Sequence, residues 1–254
     1  ECKVPTQWKT SRTVLLFKKG DLHDIGNYRP ICLRCVVYKL FTRVILNRID
    51  RTLDEGQPCE QAGFRKGFRT MDHIHTLTRL IEVSREYKIP LCLTFIDLEK
   101  AFDSIEIEAL IEALGSQGVP TQYIKILPEL YKNSTTKILP FYNDINVDVK
   151  RGVRQGDTIS PKLFTATLQN VMRTLEWDNM RVKIDGRQIH HLRFADDYVL
   201  ITPDISQAER TLADFDKACG KIGLPLNLKK TMFMKNGLVS FASLTLNGTN
   251  ISDL

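Results

Sequence analysis

Two apolar periodicities alternate along this chain and divide it into elements. Thr13-Val14-Leu15-Leu16-Phe17 is a compact apolar run that predicts a strand. The basic turn Lys18-Lys19-Gly20-Asp21 and a short loop lead to a second strand, Tyr28-Arg29-Pro30-Ile31-Cys32-Leu33. From Val36 to Leu53 the period becomes helical: Val37, Leu40, Phe41, Val44, Ile45 and Ile49 form the expected inward face, and Lys39, Arg43, Arg48 and Arg51 a basic flank. Gln57 to Thr70 reads as a loop, and Met71 to Lys88 as a helix with Ile74, Leu77, Leu80, Ile81 and Tyr87 inward, stopped before Pro90. Further on, Ile105–Gly118 and Pro120–Ser134 read as helices, the second made irregular by Pro128. Thr135–Val149 reads as two strands around an Asn143-Asp144 turn. A helix follows Ser160-Pro161, Ser capping and Pro in the first turn. Val182–Ile189 reads as a hairpin, Ser206–Ile222 as an amphipathic helix closed by Gly223, and 238–254 as weakly β.

Against that background two acidic elements stand out. Arg193-Phe194-Ala195-Asp196-Asp197-Tyr198-Val199-Leu200-Ile201 places two aspartates inside an apolar run. Aspartate is poor in strands and costly to bury unpaired, so a tight hairpin with the pair at its tip resolves the conflict. An exposed turn without a role is the plain alternative, since Asp is common in turns. The second element, Leu91-Cys92-Leu93-Thr94-Phe95-Ile96-Asp97, is an apolar strand ending in an aspartate, with a helix expected beyond it. Side by side, the two would gather Asp97, Asp196 and Asp197. Three hard oxygen donors with positions left for water and phosphate suit magnesium or manganese.

The order Phe95-x-Asp97-(x)4-Phe102-Asp103, Arg154-Gln155-Gly156-Asp157-(x)2-Ser160-Pro161 and Phe194-Ala195-Asp196-Asp197 resembles the palm motifs of reverse transcriptases. The resemblance is strongest to the enzymes of non-LTR (LINE-type) retrotransposons, particularly the RTE-like clade; Asn27-Tyr28-Arg29-Pro30-Ile31 and Gln61-Ala62-Gly63-Phe64-Arg65 also fit. It implies an α+β fold, a right hand whose antiparallel palm sheet packs on helices beside a fingers subdomain. Residues 1–90 would be the first part of the fingers, 91–117 the first part of the palm, 118–150 a connection, and 151–254 the rest of the palm; the thumb, the primer-gripping strand and an N-terminal endonuclease are expected to be absent.

The implied activity is RNA-directed DNA polymerisation with two Mg2+ or Mn2+ ions on Asp97, Asp196 and Asp197. Lys230, matched within Asn227-Leu228-Lys229-Lys230-Thr231, would protonate the leaving pyrophosphate. Arg29 would grip the dNTP phosphates with help from Lys18 or Lys19, between which the turn length does not choose. Leu98, Ala101, Phe102, Gln155 and Gly156 would line the nucleotide, Phe102 as the ring that rejects a 2′-hydroxyl. Arg65, Lys66 and Arg69, interleaved with Phe64 and Phe68, would hold the template strand, although an anchoring role for the two rings is an equal reading. Asp103 reads as a helix-stabilising residue. The glycines of Gly152-Val153-Arg154-Gln155-Gly156 are expected to let backbone approach a ligand.

Composition adds little to this and excludes some classes. The 254 residues are 43% hydrophobic and 26% charged, ordinary values for a chain able to bury a core. A formal net charge of +6 suits an anionic partner. Apolar stretches are too short to span a membrane and no signal peptide is recognisable. The start Glu1-Cys2-Lys3 lacks an initiator Met and implies an excised segment. Cys2, Cys32, Cys35, Cys59, Cys92 and Cys219 are scattered, the Cys32–Cys35 pair has no second half at zinc spacing, and Cys92 reads as core. Expected partners are an RNA template, a DNA primer and dNTP, with no membrane and no stable protein partner; the expected location is intracellular, in nucleus and cytoplasm. Two alternatives stay open. One is a catalytically inactive nucleic-acid-binding remnant, for which Arg34 and Arg181 at atypical places speak. The other is a different palm-type nucleotidyl transferase or cyclase, against which the Arg154–Pro161 motif speaks.

Overall fold

The computed structural model describes residues 3–138, 145–175, 183–184, 187–240 and 242–254. Arg181, the expected turn at Asn143-Asp144 and part of the expected 182–189 hairpin lie outside these residues. In chain order the elements begin β1 (Thr10–Phe17), β2 (Tyr28–Leu33), α1 (Val36–Glu55), α2 (Thr70–Glu86), β3 (Cys92–Asp97), α3 (Ala101–Ser104) and α4 (Ile107–Ser116). Then come α5 (Thr121–Ile124), α6 (Ile126–Tyr131), β4 (Ser134–Ile138), β5 (Ile145–Val149), α7 (Ser160–Thr174), β6 (Lys183–Ile184) and β7 (Arg187–Gln188). The last are β8 (His191–Phe194), β9 (Asp197–Thr202), α8 (Ile205–Gly220), β10 (Met232–Lys235), β11 (Thr245–Leu246), β12 (Thr249–Asn250) and β13 (Ser252–Asp253). They form two compact units, Glu1–Gly56 with Phe102–Thr167, and Gln57–Ala101 with Leu168–Leu254. Among the described residues no helix is long and apolar enough to cross a membrane.

The first unit is built on a sheet of order β2-β1-β4-β5. The hairpin β1–β2 is antiparallel as its apolar runs imply, with Leu16 opposite Arg29 and Phe17 opposite Tyr28. The strands either side of 139–144 also pair antiparallel. What periodicity did not foretell is the parallel join of β1 to β4, with Thr10 opposite Thr135.

Two helices of this unit differ from expectation. In α1 the buried residues are Tyr38, Thr42, Ile45, Leu46, Ile49 and Leu53, while Val37 and Leu40 are more than 60% exposed and Val44 is exposed too. The helix is rotated because Tyr38 and Thr42 hydrogen-bond the carboxylate of buried Asp157, at 2.9 and 3.0 Å. Polar bonds set the inward face, and a hydrophobic pattern cannot register them. The expected single helix 120–134 is two short ones, parted at Lys125, with Ser134 already in a strand. Pro128 explains the break, since it donates no bond and its ring crowds the carbonyl four residues back.

In the second unit the main sheet has the order β13-β10-β3-β9-β8, antiparallel except for the β10–β13 edge. Leu80, Leu91, Leu93, Leu192 and Ile201 form a core cluster on it, with Leu77, Ile81, Phe95, Val199 and Met234 packed around. Helix α8 brings Phe215 against Tyr198, ring centroids 4.9 Å apart. Its N-terminus is capped by the Asp204 carboxylate, which accepts from the Gln207 N–H at 2.8 Å. It ends at Gly220, earlier than expected, and Gly223 turns the chain at φ +78°. In α2, Leu80 is buried as expected, whereas Ile74 and Tyr87 are exposed. Cys92 is buried, and loss of solvent pushes its thiol up to about 11.

Candidate catalytic site

Strand register determines where the acidic residues fall. The hairpin β8–β9 turns through Ala195 and Asp196 alone, with Phe194 opposite Asp197. Ala195 holds φ +61°, the left-handed conformation that so tight a turn demands. Strand β3 pairs with β9 from Cys92↔Thr202 to Asp97↔Asp197, so two aspartates lie directly opposite at the end of the ladder. Asp97, Asp196 and Asp197 thus share one corner of the second unit. Partial burial, then Asp196, then Asp97 raise the Asp197 carboxyl above its usual range, and Lys230 partly offsets this.

Lys230 comes to the corner by a separate route. The Asn227 N–H donates to the Asp97 carbonyl at 2.8 Å, and Asn227 in turn accepts from the N–H groups of Lys230 and Thr231. That turn delivers Lys230 Nζ to 3.2 Å from Asp97 Oδ2. Leu98 and Ala101, expected at the nucleotide, have buried side chains, so any contact from them would be made by backbone.

In the first unit, Lys18, Lys19 and Arg29 are all exposed around the β1–β2 turn. The Lys18 N–H donates to the Asn27 carbonyl at 2.9 Å, which extends the ladder one step beyond Phe17↔Tyr28. Strand alternation then puts Lys18 on the face of Leu16 and Arg29, and Lys19 off it. Phe102 is half-buried and stacks on Phe164 at 4.5 Å between centroids, so core packing occupies one face of its ring. The Gln155 side-chain amide donates to both carboxylate oxygens of Asp103, at 3.1 and 3.2 Å. Asp103 sits in the first turn of α3, where a carboxylate stabilises a helix as expected, and it also grips Gln155.

Two glycines of the 152–156 loop make close approaches within the chain. A Cβ on Gly152 would lie 2.6 Å from the Asp103 carbonyl oxygen, and one on Gly156 3.2 Å from that of Cys32. Both let the loop pack closely against its own chain, and the Val153 N–H donates to the Phe102 carbonyl at 2.6 Å. Ser160 is the first residue of α7 and not its cap, since the Ile159 carbonyl accepts the first helical N–H groups.

Of the expected template residues, Lys66 and Arg69 are exposed. Arg65 turns inward, donating to the carbonyls of Pro58 and Gln61 at 2.6 and 3.1 Å and lying 4.2 Å over the Phe68 ring. Phe68 therefore anchors the loop through a cation–π contact. Arg34, the atypical residue, donates to the carbonyls of Trp8 and Thr10 at the start of β1.

Two buried arginines escaped sequence reasoning. Arg193, fully buried in the hairpin arm, donates to Gln169 Oε1 at 2.5 Å. Arg154 donates to Tyr38 Oη, the Leu130 carbonyl and Ser134 Oγ at 2.6–2.7 Å, with the Tyr131 ring beneath it. Nothing in hydrophobic spacing marks either as core.

The donor set fits a hard divalent cation in chemistry, since it consists of carboxylates whose mutual repulsion Lys230 offsets only in part. As the side chains stand, no group of three or more His, Cys, Asp or Glu among the described residues is gathered to grip a metal.

A family model described as reverse transcriptase (RNA-dependent DNA polymerase) matches residues 17–246. The Pol polyprotein from the type-1 retrotransposable element R2 of Popillia japonica is 30% identical over 90% of this chain and 32% of its own length. The probable RNA-directed DNA polymerase from transposon BS of Drosophila melanogaster is 27% identical over 90% of this chain and 26% of its own length. The chain therefore spans about a third or less of these relatives. Among solved structures, an apo telomerase from Candida tropicalis truncated from its C-terminal domain superposes with a TM-score of 0.66 at 16% identity, over 98% of this chain and 54% of that one. The shared fold is the α+β fingers–palm architecture, antiparallel sheets packed on helices.

Proposed function

The chain belongs to the reverse-transcriptase family, alongside Pol proteins of non-LTR retrotransposons, and on that premise we propose that it is the fingers and palm of an RNA-directed DNA polymerase. Its reaction is attack of a primer 3′-hydroxyl on the α-phosphorus of a dNTP opposite an RNA template, with release of pyrophosphate. The observation that carries this reading is the register match of Asp97 with Asp197, one residue from Asp196. Members of the family use divalent metal ions. Asp97, Asp196 and Asp197 would hold two Mg2+ or Mn2+ here, which when bound supply Lewis acidity to the hydroxyl and to the leaving pyrophosphate.

The chain's own residues do the rest. Lys230, kept at the corner by Asp97, donates a proton to the departing pyrophosphate. Arg29 takes the triphosphate in a bidentate grip. Phe102, one face held by Phe164, turns its edge to the sugar and leaves no room for a 2′-oxygen. Gln155, held by Asp103, and Gly156 line the nascent base pair, and Leu98 and Ala101 contribute backbone. Lys66 and Arg69 neutralise template phosphates, with Arg65 bracing their loop. In the domain reading, 1–90 open the fingers, 91–117 and 151–254 form the palm, and 118–150 connect them.

Extension of a primed RNA template with Mg2+ or Mn2+ tests this. The unaltered chain extends the primer, and Asp196→Asn does not while keeping its melting temperature within a few degrees. Retention of the template in a filter-binding assay without extension by either protein would favour the inactive nucleic-acid-binding remnant. A finer expectation follows from the β1–β2 register: Lys18→Ala raises the KM for dNTP about tenfold, the worth of one charge-assisted contact. Lys19→Ala leaves that KM within about twofold, and equal effects in steady-state kinetics would refute the assignment.

A further inference from the structure

The two-residue turn that carries Asp196 is braced by a segment far away in sequence. Residues 60–63 run along β8 as a short parallel strap: the Arg193 N–H donates to the Glu60 carbonyl at 2.8 Å, and the Ala62 N–H to the Arg193 carbonyl at 3.0 Å. Gln61 forms the matching bridge with Arg193 and is fully buried. Its side-chain oxygen accepts two backbone N–H groups, Gly63 at 2.8 Å and Ala195 at 3.3 Å. The second acceptance crosses from the strap into the turn itself. Gly63 then closes on the turn so tightly that a Cβ there would lie 2.1 Å from the Ala195 nitrogen.

The contacts from Gln61 and Gly63 into the turn both fall on Ala195, a strained position. Ala195 is a non-glycine at φ +61°, a conformation that L-residues adopt only under strain. Its neighbours Asp196 and Asp197 repel one another and Asp97. Strain and repulsion both favour opening the turn, and the strap opposes them with one shared acceptor and one close contact.

We propose that Gln61 and Gly63 are positioning residues for the polymerase centre, fixing the Ala195-Asp196 turn so that the two aspartates are presented in one geometry. The inference rests on the polymerase reading for its catalytic consequence, but the brace itself is independent of that reading. Gln61→Met keeps length and apolar volume and removes the acceptor. Gly63→Ala forces the turn away from the strap.

Hydrogen–deuterium exchange over 194–198 measures the brace directly, and single-nucleotide extension measures its consequence. Both variants are expected to exchange at least tenfold faster in that peptide. Their kcat should fall at least tenfold, with the KM for dNTP and the retention of primed template each within about twofold of the unaltered chain. Leu212→Ala, a core truncation in α8, serves as the control for lost stability: it lowers the melting temperature and leaves exchange at 194–198 and kcat near their starting values. Unchanged exchange in both variants overturns the proposal whatever happens to activity. Faster exchange with unchanged kcat overturns the positioning role. If the unaltered chain fails to extend while exchange responds as expected, the polymerase reading falls and the brace stands.

Discussion

Asp197→Asn abolishes primer extension and, at pH 7, raises the melting temperature of the chain. The loss of activity follows from removing one of the carboxylates proposed to hold the cations. The gain in stability follows from the charges already present. Asp197 lies in register with Asp97 and next to Asp196, and like charges directly opposite on a sheet destabilise it. Partial burial, Asp196 and Asp97 all raise its folded-state pKa above 3.8. A carboxyl raised on folding takes up protons in the native state, so its favourable contribution is complete only below the unfolded value and disappears as pH climbs through the folded one. While ionised, Asp197 works against the fold; asparagine, of nearly the same shape, does not. In a chain of this size each ~1 kcal/mol relieved is worth roughly 2–4 °C. Thermal melts of both proteins from pH 7 down to pH 4 should show the gap narrowing as Asp197 takes up its proton. A variant less stable than the parent at pH 7 would mean that the corner is already neutralised from within.

The largest loss of stability is expected from Arg154→Ala, at a residue to which the sequence assigned no role of its own. Arg154 is buried and donates to three acceptors in three elements: Tyr38 in α1, Leu130 in α6 and Ser134 in β4. The Tyr38 hydroxyl in turn donates to Asp157, so removing the guanidinium strips a buried carboxylate network of its cation. Deleting one partner of a buried charged network costs roughly 3–5 kcal/mol, a fall in melting temperature on the order of 10 °C for this length. Arg154→Lys should fall almost as far, because an ammonium keeps the charge but lacks the planar fork that reaches all three acceptors. Full stability of the lysine variant in a thermal melt would show that charge alone is required.

The parts of the fold legible in the sequence were those governed by alternation and turn chemistry. Strands β1, β2, β3 and β9 are apolar runs whose ends coincide with turn or acidic residues, and the Asp-Asp hairpin follows from the cost of burying aspartate. Of the candidate site, what was legible is placement: Asp97, Asp196, Asp197 and Lys230 fall in one unit, with Asp97 opposite Asp197 and beside Lys230. What could not be read depended on bonds between distant residues. The rotation of α1 is set by Asp157, the use of Gly152 by the backbone of α3, and the burial of Arg193 by Gln169. Periodicity within a segment contains no information about any of these. Arg65 shows the same limit from the other side: a cation that reads as facing phosphate also donates through Nη1 to two carbonyls of its own loop.

The parallel join of β1 to β4 bears on how the chain acquires its structure during synthesis. Thr10 waits for Thr135, and Cys92 in the other sheet waits for Thr202. Each unit is made of two stretches interleaved with those of the other, so neither sheet is complete when its first strands leave the ribosome. Long-range pairings of this kind carry a high contact order and slow folding. Until they close, the apolar edges of β1 and β3 are the surfaces most exposed to aggregation.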